Sequence, residues 1–542
     1  MIGTRAVAET AAALDGITDP ESLELAGPFD SRTVDRLRAA GLYSLRGGSR
    51  FRRTALSPLN AHRVIESVAS RCVPAAVSMA VHHGFGAPAY LDLLGEGELR
   101  SLILDLVERG GISGDADTEP AGAVNRRRTT TAVRSQDGSE YILNGEKVYI
   151  QNAPIADLLR VSATLVAGGT ETIGLFFVPT ASAGVSVGPV HTFVGMRGVP
   201  NAPLHLRDVR VPAAYRLDVT GSALDVDEEW RLLPALNDIS VRARMYAIAA
   251  PSVALATGAL QAMRRFVARR TADGSALADY RAVQQMLSES AAEIHAMRAL
   301  VSLCLLSDEK DPAAVRSEQA AAKNLTSVAC GRVVEHAVSL LGAQGVETAA
   351  GKAARGVDPL PAERYWRDAR LLRISGGVDF QIDNWFAANL LLPPFVHDRA
   401  AVVGDLQQTD QPDDAVLSRL SQRNRDHVQF VSARARDLAE ACLRLTGGRG
   451  LDELTADEES LIAVARWASE LLSMTVVLAA AASGSGDQVL TDVHCWAARA
   501  RVADAASRMA RAHDAPDHAS VVAGLLGVDG PGVTRPVGDR AW

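Results

Sequence analysis

The sequence predicts a mainly α-helical protein with a central β domain: an N-terminal helical domain over residues 1–112, a β domain over 113–215, a helical bundle over 216–394 and an appended helical domain over 395–542. Three observations predict it. In the first hundred residues, Val64, Ile65, Val68 and Val73 recur at helical intervals. Near residue 112 the pattern switches to alternating apolar and polar residues broken by turn dipeptides, and near 216 it returns to long amphipathic segments. Beyond Pro393 and Pro394, a polar stretch to about Asp414 precedes a second run of such segments. At 542 residues the chain is long enough for roughly three or four domains and can bury a large interior unaided by metals or disulfides.

Taken in order, Ser31 caps a helix through Val34 and Leu37, and 61–81 forms a longer one. Residues 140–150 read as strand, Asn144-Gly145 turn, strand, and 174–179 and 204–212 are further strands. Helices are expected over 241–270, 279–307 and 315–341 in the bundle, then over 417–446, 456–482 and 487–512 in the appended domain.

Composition narrows the function classes. The chain is 47% hydrophobic with a net charge of −8, and its acids are interspersed with arginines. The appended domain carries 15 Arg and no Lys against 21 Asp plus Glu, which argues against a nucleic-acid partner. Asp15, Asp19, Glu21 and Glu24 break up the first thirty residues, so neither a secretory signal nor an anchor is expected there. The longest apolar run, 471–482, contains Ser473 and Thr475 and falls short of a membrane span. Five scattered cysteines suggest neither zinc nor a disulfide framework, and a reducing cytoplasm is the expected compartment.

Local motifs add to this order of domains. Asn144-Gly145-Glu146-Lys147-Val148-Tyr149-Ile150-Gln151-Asn152, followed by Ala156-Asp157, resembles the Asn-Gly-x-Lys-x-x-Ile-x-Asn and Ala-Asp stretch of the acyl-CoA dehydrogenase superfamily. Thr118-Glu119-Pro120 resembles the opening of that family's flavin loop, residues 206–212 its strand leaving the β domain, and Arg367-Asp368-Ala369 the triplet before its catalytic loop. The resemblance covers roughly residues 35–392, and the extra helices resemble those of longer members. It implies FAD, a flavin-dependent oxidoreductase, an acyl thioester substrate on CoA or a carrier protein, and a homodimer. Thr118, Tyr149 and Gln151 would then face the flavin ring, with Gly377 in the loop beside it. Arg270 would reach the pyrophosphate of a neighbouring subunit's FAD, and Gly342-Ala343-Gln344-Gly345 matches the Gly-Gly-x-Gly loop.

The departures from the family pattern bear on chemistry. Residues 121–125 lack the serine that touches the acyl-CoA, a flavin-facing threonine is Gln151, and the phenylalanine and glutamine after the pyrophosphate arginine are Asp273 and Arg281. The family's Glu-Gly-Thr is Gly376-Gly377-Val378, which removes the carboxylate that takes the α-proton. Some members carry that glutamate on the first bundle helix, but 241–245 contains none. Asp379 is the nearest acid in the loop and the candidate base; Asp238 is the nearest on the helix; each also reads as a capping or solvated carboxylate.

Arg126 and Arg128, with Arg127 between them, are candidates to grip a CoA or pantetheine phosphate, against the plainer reading of a solvated turn. His82-His83 reads as complementing a helix C-terminus, and Tyr365-Trp366 and Trp385-Phe386 as core packing beside the catalytic loop. Two further function classes stay open: a flavin monooxygenase, and a flavin-less, non-redox member that binds a ligand or partner or catalyses an isomerisation or cyclisation.

Overall fold

The computed structural model describes residues 6–10, 14, 31–45, 56–123, 125, 127–167, 170–217, 224–225, 234–407, 413–514 and 516–526. Four helices come first: α1 (Ser31–Ala39), α2 (Pro58–Ala69), α3 (Val73–Gly84) and α4 (Glu98–Glu108). Proline in the first turn suits α2 and α3, because the N–H it lacks would have no intrahelical partner there. The sheet follows as β1 (Ser113–Ala116), β2 (Thr131–Arg134), β3 (Glu140–Gln151), β4 (Leu158–Ala167), β5 (Thr170–Pro179), β6 (Val185–Val187), β7 (Asn201–Pro212) and the two-residue β8 (Leu224–Asp225). Its strand order is β6-β7-β3-β2-β4-β5-β8. One edge of β4 is shared, Leu158–Val161 pairing in parallel with β1 and Thr164–Val166 with β2.

The Asn-Gly hairpin expected at 144–145 is corrected: β3 runs unbroken for 12 residues against β7. A register shift between Leu143 and Gly145 makes that dipeptide a bulge. Asn144 and Asp208 face each other across it, Asn144 Nδ2 donating to Asp208 Oδ1 at 3.1 Å and accepting from the Asp208 amide at 2.8 Å. Gly145 (φ 154°) is needed because a Cβ would stand 2.6 Å from Thr130.

The bundle consists of α5 (Pro234–Val267), α6 (Arg281–Asp308), α7 (Arg316–Leu341), α8 (Ala362–Leu372) and α9 (Asp379–Phe386). Within α5, Met245–Ala249 is wound as a π-turn just ahead of Pro251, whose ring and missing N–H would disturb regular α winding. The appended unit is α10 (Gln422–Leu445), α11 (Glu458–Ala482) and α12 (Gln488–Arg511). One core joins the first layer to the bundle, through Val64, Ile65 and Met79 against Val253, Met297 and Val333. A second joins the bundle to the appended helices, through Phe386 and Leu392 against Cys442, Trp467 and Val502.

The expectation that no segment reaches membrane-span length is also corrected. By length and composition α5, α6 and α11 could each cross a membrane. Their most apolar windows are 78%, 56% and 67% buried inside the protein, so packing accounts for much of that apolarity. Alanine and small polar residues interrupt the apolar runs and hide this length in a linear reading.

Burial also fixes an acid limit. His62 and His494 are buried and held neutral, burial lowering them from the ordinary 6.5 to about 3 and about 4. The unfolded chain takes up protons that these rings refuse, so the stability they confer is full above pH 6.5 and lost as pH falls towards 3. Each pH unit of that displacement is worth about 1.4 kcal/mol. Glu293 is raised by burial, but Arg332 and Arg501 outweigh this and hold it at about 2; its contribution is full above 4.5 and lost towards pH 2. Thermal melts should fall continuously between pH 6.5 and 3, and a flat profile there would rule this account out.

Candidate active site

The Thr-Glu-Pro segment and the long β3 motif are joined by a buried ion pair. Lys147 Nζ donates to Glu119 Oε1 at 2.8 Å, and both side chains are essentially inaccessible. Glu119 also accepts from the amides of Thr129 at 2.6 Å and Thr130 at 2.9 Å. Burial alone would raise Glu119, but Lys147 and these donors hold it at about 2, while burial brings Lys147 down to about 8. The pair sets Thr118 against the end of β3, where the Val148 amide donates to the Thr118 carbonyl at 2.9 Å.

At that end the backbone leaves strand geometry: Tyr149 (φ 58°) and Asn152 (φ 68°) are both left-handed. Asn152 is fully buried and donates to the carbonyls of Ser78 (2.9 Å) and Ser113 (3.0 Å), tying the sheet to α3. Tyr149 is turned outward, 60% exposed, beside His191 and Phe193. Gln151 Nε2 is buried with no hydrogen-bond partner among the described residues, which makes it a donor suited to a ligand acceptor.

On the bundle side, Gly376 (φ 68°) and Gly377 (φ 106°) form the turn between α8 and α9. A Cβ on Gly376 would sit 3.6 Å from both Arg244 Cγ and Ile248 Cγ1, an ordinary contact. Arg244 therefore borders the space a side chain at 376 would enter. Its Nε donates to the Gly376 carbonyl at 3.0 Å, and its guanidinium lies 5.7 Å from the Trp385 ring centre. Lys323 Nζ, buried, holds the same turn from below, donating to the carbonyls of Gly377 (2.6 Å) and Arg373 (3.1 Å). Burial, then the Arg244 charge, lowers Lys323 to about 8. Asn324 bridges the Asp379 carbonyl and Asp383, and Arg466 of α11 reaches Asp383 Oδ2 at 2.8 Å, so the appended unit braces this turn.

The third segment is the Gly342–Gly345 loop after α7. A Cβ on Gly345 would stand 2.3 Å from the Val338 carbonyl oxygen, so only glycine fits. Lys352, again buried, donates to the Gln344 carbonyl at 2.7 Å and to that of Leu360. Each of the three expected cofactor segments thus rests on a buried lysine. Arg270, at the exposed end of α5, stacks on Phe266 at 4.6 Å. Among the described residues no hydrogen bond or ion pair joins Arg270, Gly342 or Gly345 to Thr118, Tyr149 or Gln151.

Several expected roles change. Arg128 is 2% exposed and donates to Asp117 (3.0 Å) and Ser162 (3.1 Å) inside the β domain, so it cannot meet a phosphate. Arg126 lies outside the described residues. Asp379 is the first residue of α9 and its Oδ2 accepts from Arg373 Nε at 2.8 Å. Burial would raise its carboxyl, but Arg373 holds it below its usual range, the opposite of what a base in a dry pocket needs. Asp238 is likewise paired, with Arg316 Nε at 2.6 Å. His82 is an anchor: its Nδ1 accepts from the Ser113 amide (2.9 Å), which leaves Nε2 to donate to the Tyr43 carbonyl (3.0 Å). Arg244, Lys323, Lys352 and Arg466 escaped the sequence reading. One signal was available: the chain has only four lysines, and three of them are these buried props.

Comparison with known proteins agrees with this geometry. Residues 116–209 match the family model for the acyl-CoA dehydrogenase middle domain and 242–382 that for the C-terminal domain. A probable acyl-CoA dehydrogenase of Mycobacterium tuberculosis is 29% identical over 362 residues, covering 66% of this chain and 54% of the relative, so the chain spans about half the length of that protein. Cyclohexane-1-carbonyl-CoA dehydrogenase of Geobacter metallireducens is 27% identical over 66% of this chain and 88% of the relative. Among solved structures, an acyl-CoA dehydrogenase complexed with FAD from Bacillus anthracis aligns over 96% of this chain and 90% of its own at TM-score 0.77 and 21% identity. A prolyl acyl carrier protein oxidase aligns over 75% of this chain and 98% of its own at TM-score 0.58 and 21% identity.

Proposed function

This chain belongs to the acyl-CoA dehydrogenase superfamily, and from that premise we propose that it is an FAD-dependent oxidoreductase acting on an acyl thioester, carried on CoA or on a carrier protein, with an atypical active site. The observation that carries the reading is that all three expected cofactor segments, at Thr118-Glu119, Gly342–Gly345 and Gly376-Gly377, are held in place by buried lysines. The residues fit FAD: Gln151 Nε2 is a buried donor with no partner among the described residues and suits a ring acceptor, Thr118 and Tyr149 flank it, and Gly345 lets backbone approach closely. Bound FAD would supply the hydride acceptor.

What the chain does around that acceptor differs from ordinary α,β-dehydrogenation. Arg244 puts a cation beside the position that lacks the carboxylate, which favours an anionic substrate group or the negative charge left when a proton departs by another route. Arg270 and the Gly342 loop serve a flavin held by Thr118 and Gln151 of a second subunit, which calls for a homodimer. The freshly purified protein should therefore be yellow, show oxidised flavin bands and scatter light as a dimer. Protein that is colourless and stays so after incubation with FAD would transfer the assignment to the non-redox class.

A further inference from the structure

A small cavity of about 50 Å³, open to solvent, lies where three parts of the chain meet: the turn between α2 and α3, the loop ahead of β7, and the start of α8. Four arginines line it, Arg71, Arg197, Arg364 and Arg367, against a single acid, Asp368. Asp368 Oδ1 accepts from the Met196 amide at 2.6 Å, and the carboxylate keeps its negative charge. Arg367 is also committed, donating to Glu363 at 2.9 Å and to the Val194 carbonyl at 2.9 Å. Arg364 is different: its Nη1 is buried and has no hydrogen-bond partner among the described residues. A buried charged donor without an acceptor is costly and marks a place where an acceptor belongs. The exposed Arg197 faces the same cavity across the domain junction. Cys72 closes the wall as a thiol rather than a thiolate, raised to about 12 by burial, so the cavity offers no nucleophile there.

We propose that this cavity binds a phosphate-bearing small molecule, with Arg364 Nη1 and Arg197 donating to its phosphate oxygens. Guanidinium groups match phosphate with paired N–H donors, and Arg364 and Arg197 both face this cavity. The cavity is open to solvent, so the group that bears the phosphate would extend outwards. None of the lining residues belongs to the segments assigned to the flavin, so the site stands apart from the proposed reaction.

The test is calorimetric titration of the full-length protein with inorganic pyrophosphate, alongside Arg364→Gln, Arg197→Gln and, as a control for the flavin's own phosphate grip, Arg270→Gln. Saturable binding is expected, weakened about 10- to 100-fold by either of the first two changes and unchanged by Arg270→Gln. Arg197 is exposed, so its variant decides the matter even if Arg364→Gln folds poorly. Absence of binding, binding that survives both changes, binding abolished by Arg270→Gln, or succinate binding as tightly with the same dependence would each overturn the assignment.

Discussion

Saturated acyl-CoA added to the FAD-loaded protein should leave the flavin oxidised. Hydride loss from the β-carbon is coupled to loss of the α-proton, and position 376 offers no acceptor for it. Asp379, the nearest acid in the loop, and Asp238, the nearest on the first bundle helix, are each paired with an arginine, at 2.8 Å and 2.6 Å. Absence of a placed general base costs about 10²- to 10⁴-fold in rate. Gly376→Glu is sterically admissible, since its Cβ would meet Arg244 and Ile248 at 3.6 Å, though the left-handed backbone would cost a non-glycine residue about 1–2 kcal/mol. The new carboxylate would fall beside Arg244, which would hold it ionised and make it a weak base. Gly376→Glu with Arg244→Ala should therefore recover more bleaching than Gly376→Glu alone. Stopped-flow absorbance reads the outcome. Rapid bleaching of the unaltered protein would refute the vacant-base account and make Asp379→Asn the next variant to test.

Lys147→Met should be among the most destabilising single substitutions in the β domain. It leaves the Glu119 carboxylate buried without its cation, and breaking a buried pair from one side costs about 3–5 kcal/mol. Glu119 also holds the amides of Thr129 and Thr130, so the 118–130 loop should loosen with it and flavin affinity should fall. Lys147→Met with Glu119→Gln should recover much of the loss, because the uncompensated charge is gone while an amide can still accept from the loop. Denaturant unfolding of the two singles and the double measures the coupling. A Lys147→Met protein within about 1 kcal/mol of the parent would show that the pair is not the prop described.

The sequence by itself determined the layer order, the long helices and the family motifs, because these rest on local periodicity and contiguous residues. The helix expected over 456–482 is found as Glu458–Ala482, and that over 487–512 as Gln488–Arg511. That position 376 is glycine is likewise a local fact, read directly from the chain. Tertiary structure alone decided what each charged residue faces. Arg126, Arg127 and Arg128 look alike in the sequence, yet Arg128 is sealed against Asp117 and Ser162 while Arg127 lies at the surface near Glu171. Asn144-Gly145 has the residues of a hairpin turn, but pairing with Asp208 and the close approach of Thr130 make it a bulge in one strand. Arg244 is one of many arginines in the chain until the fold brings it to Gly376, 132 positions away. The energy of a charge depends on its burial and its partner, and both come from residues distant in sequence, so the arrangement of cations around this site was readable only once the chain had folded.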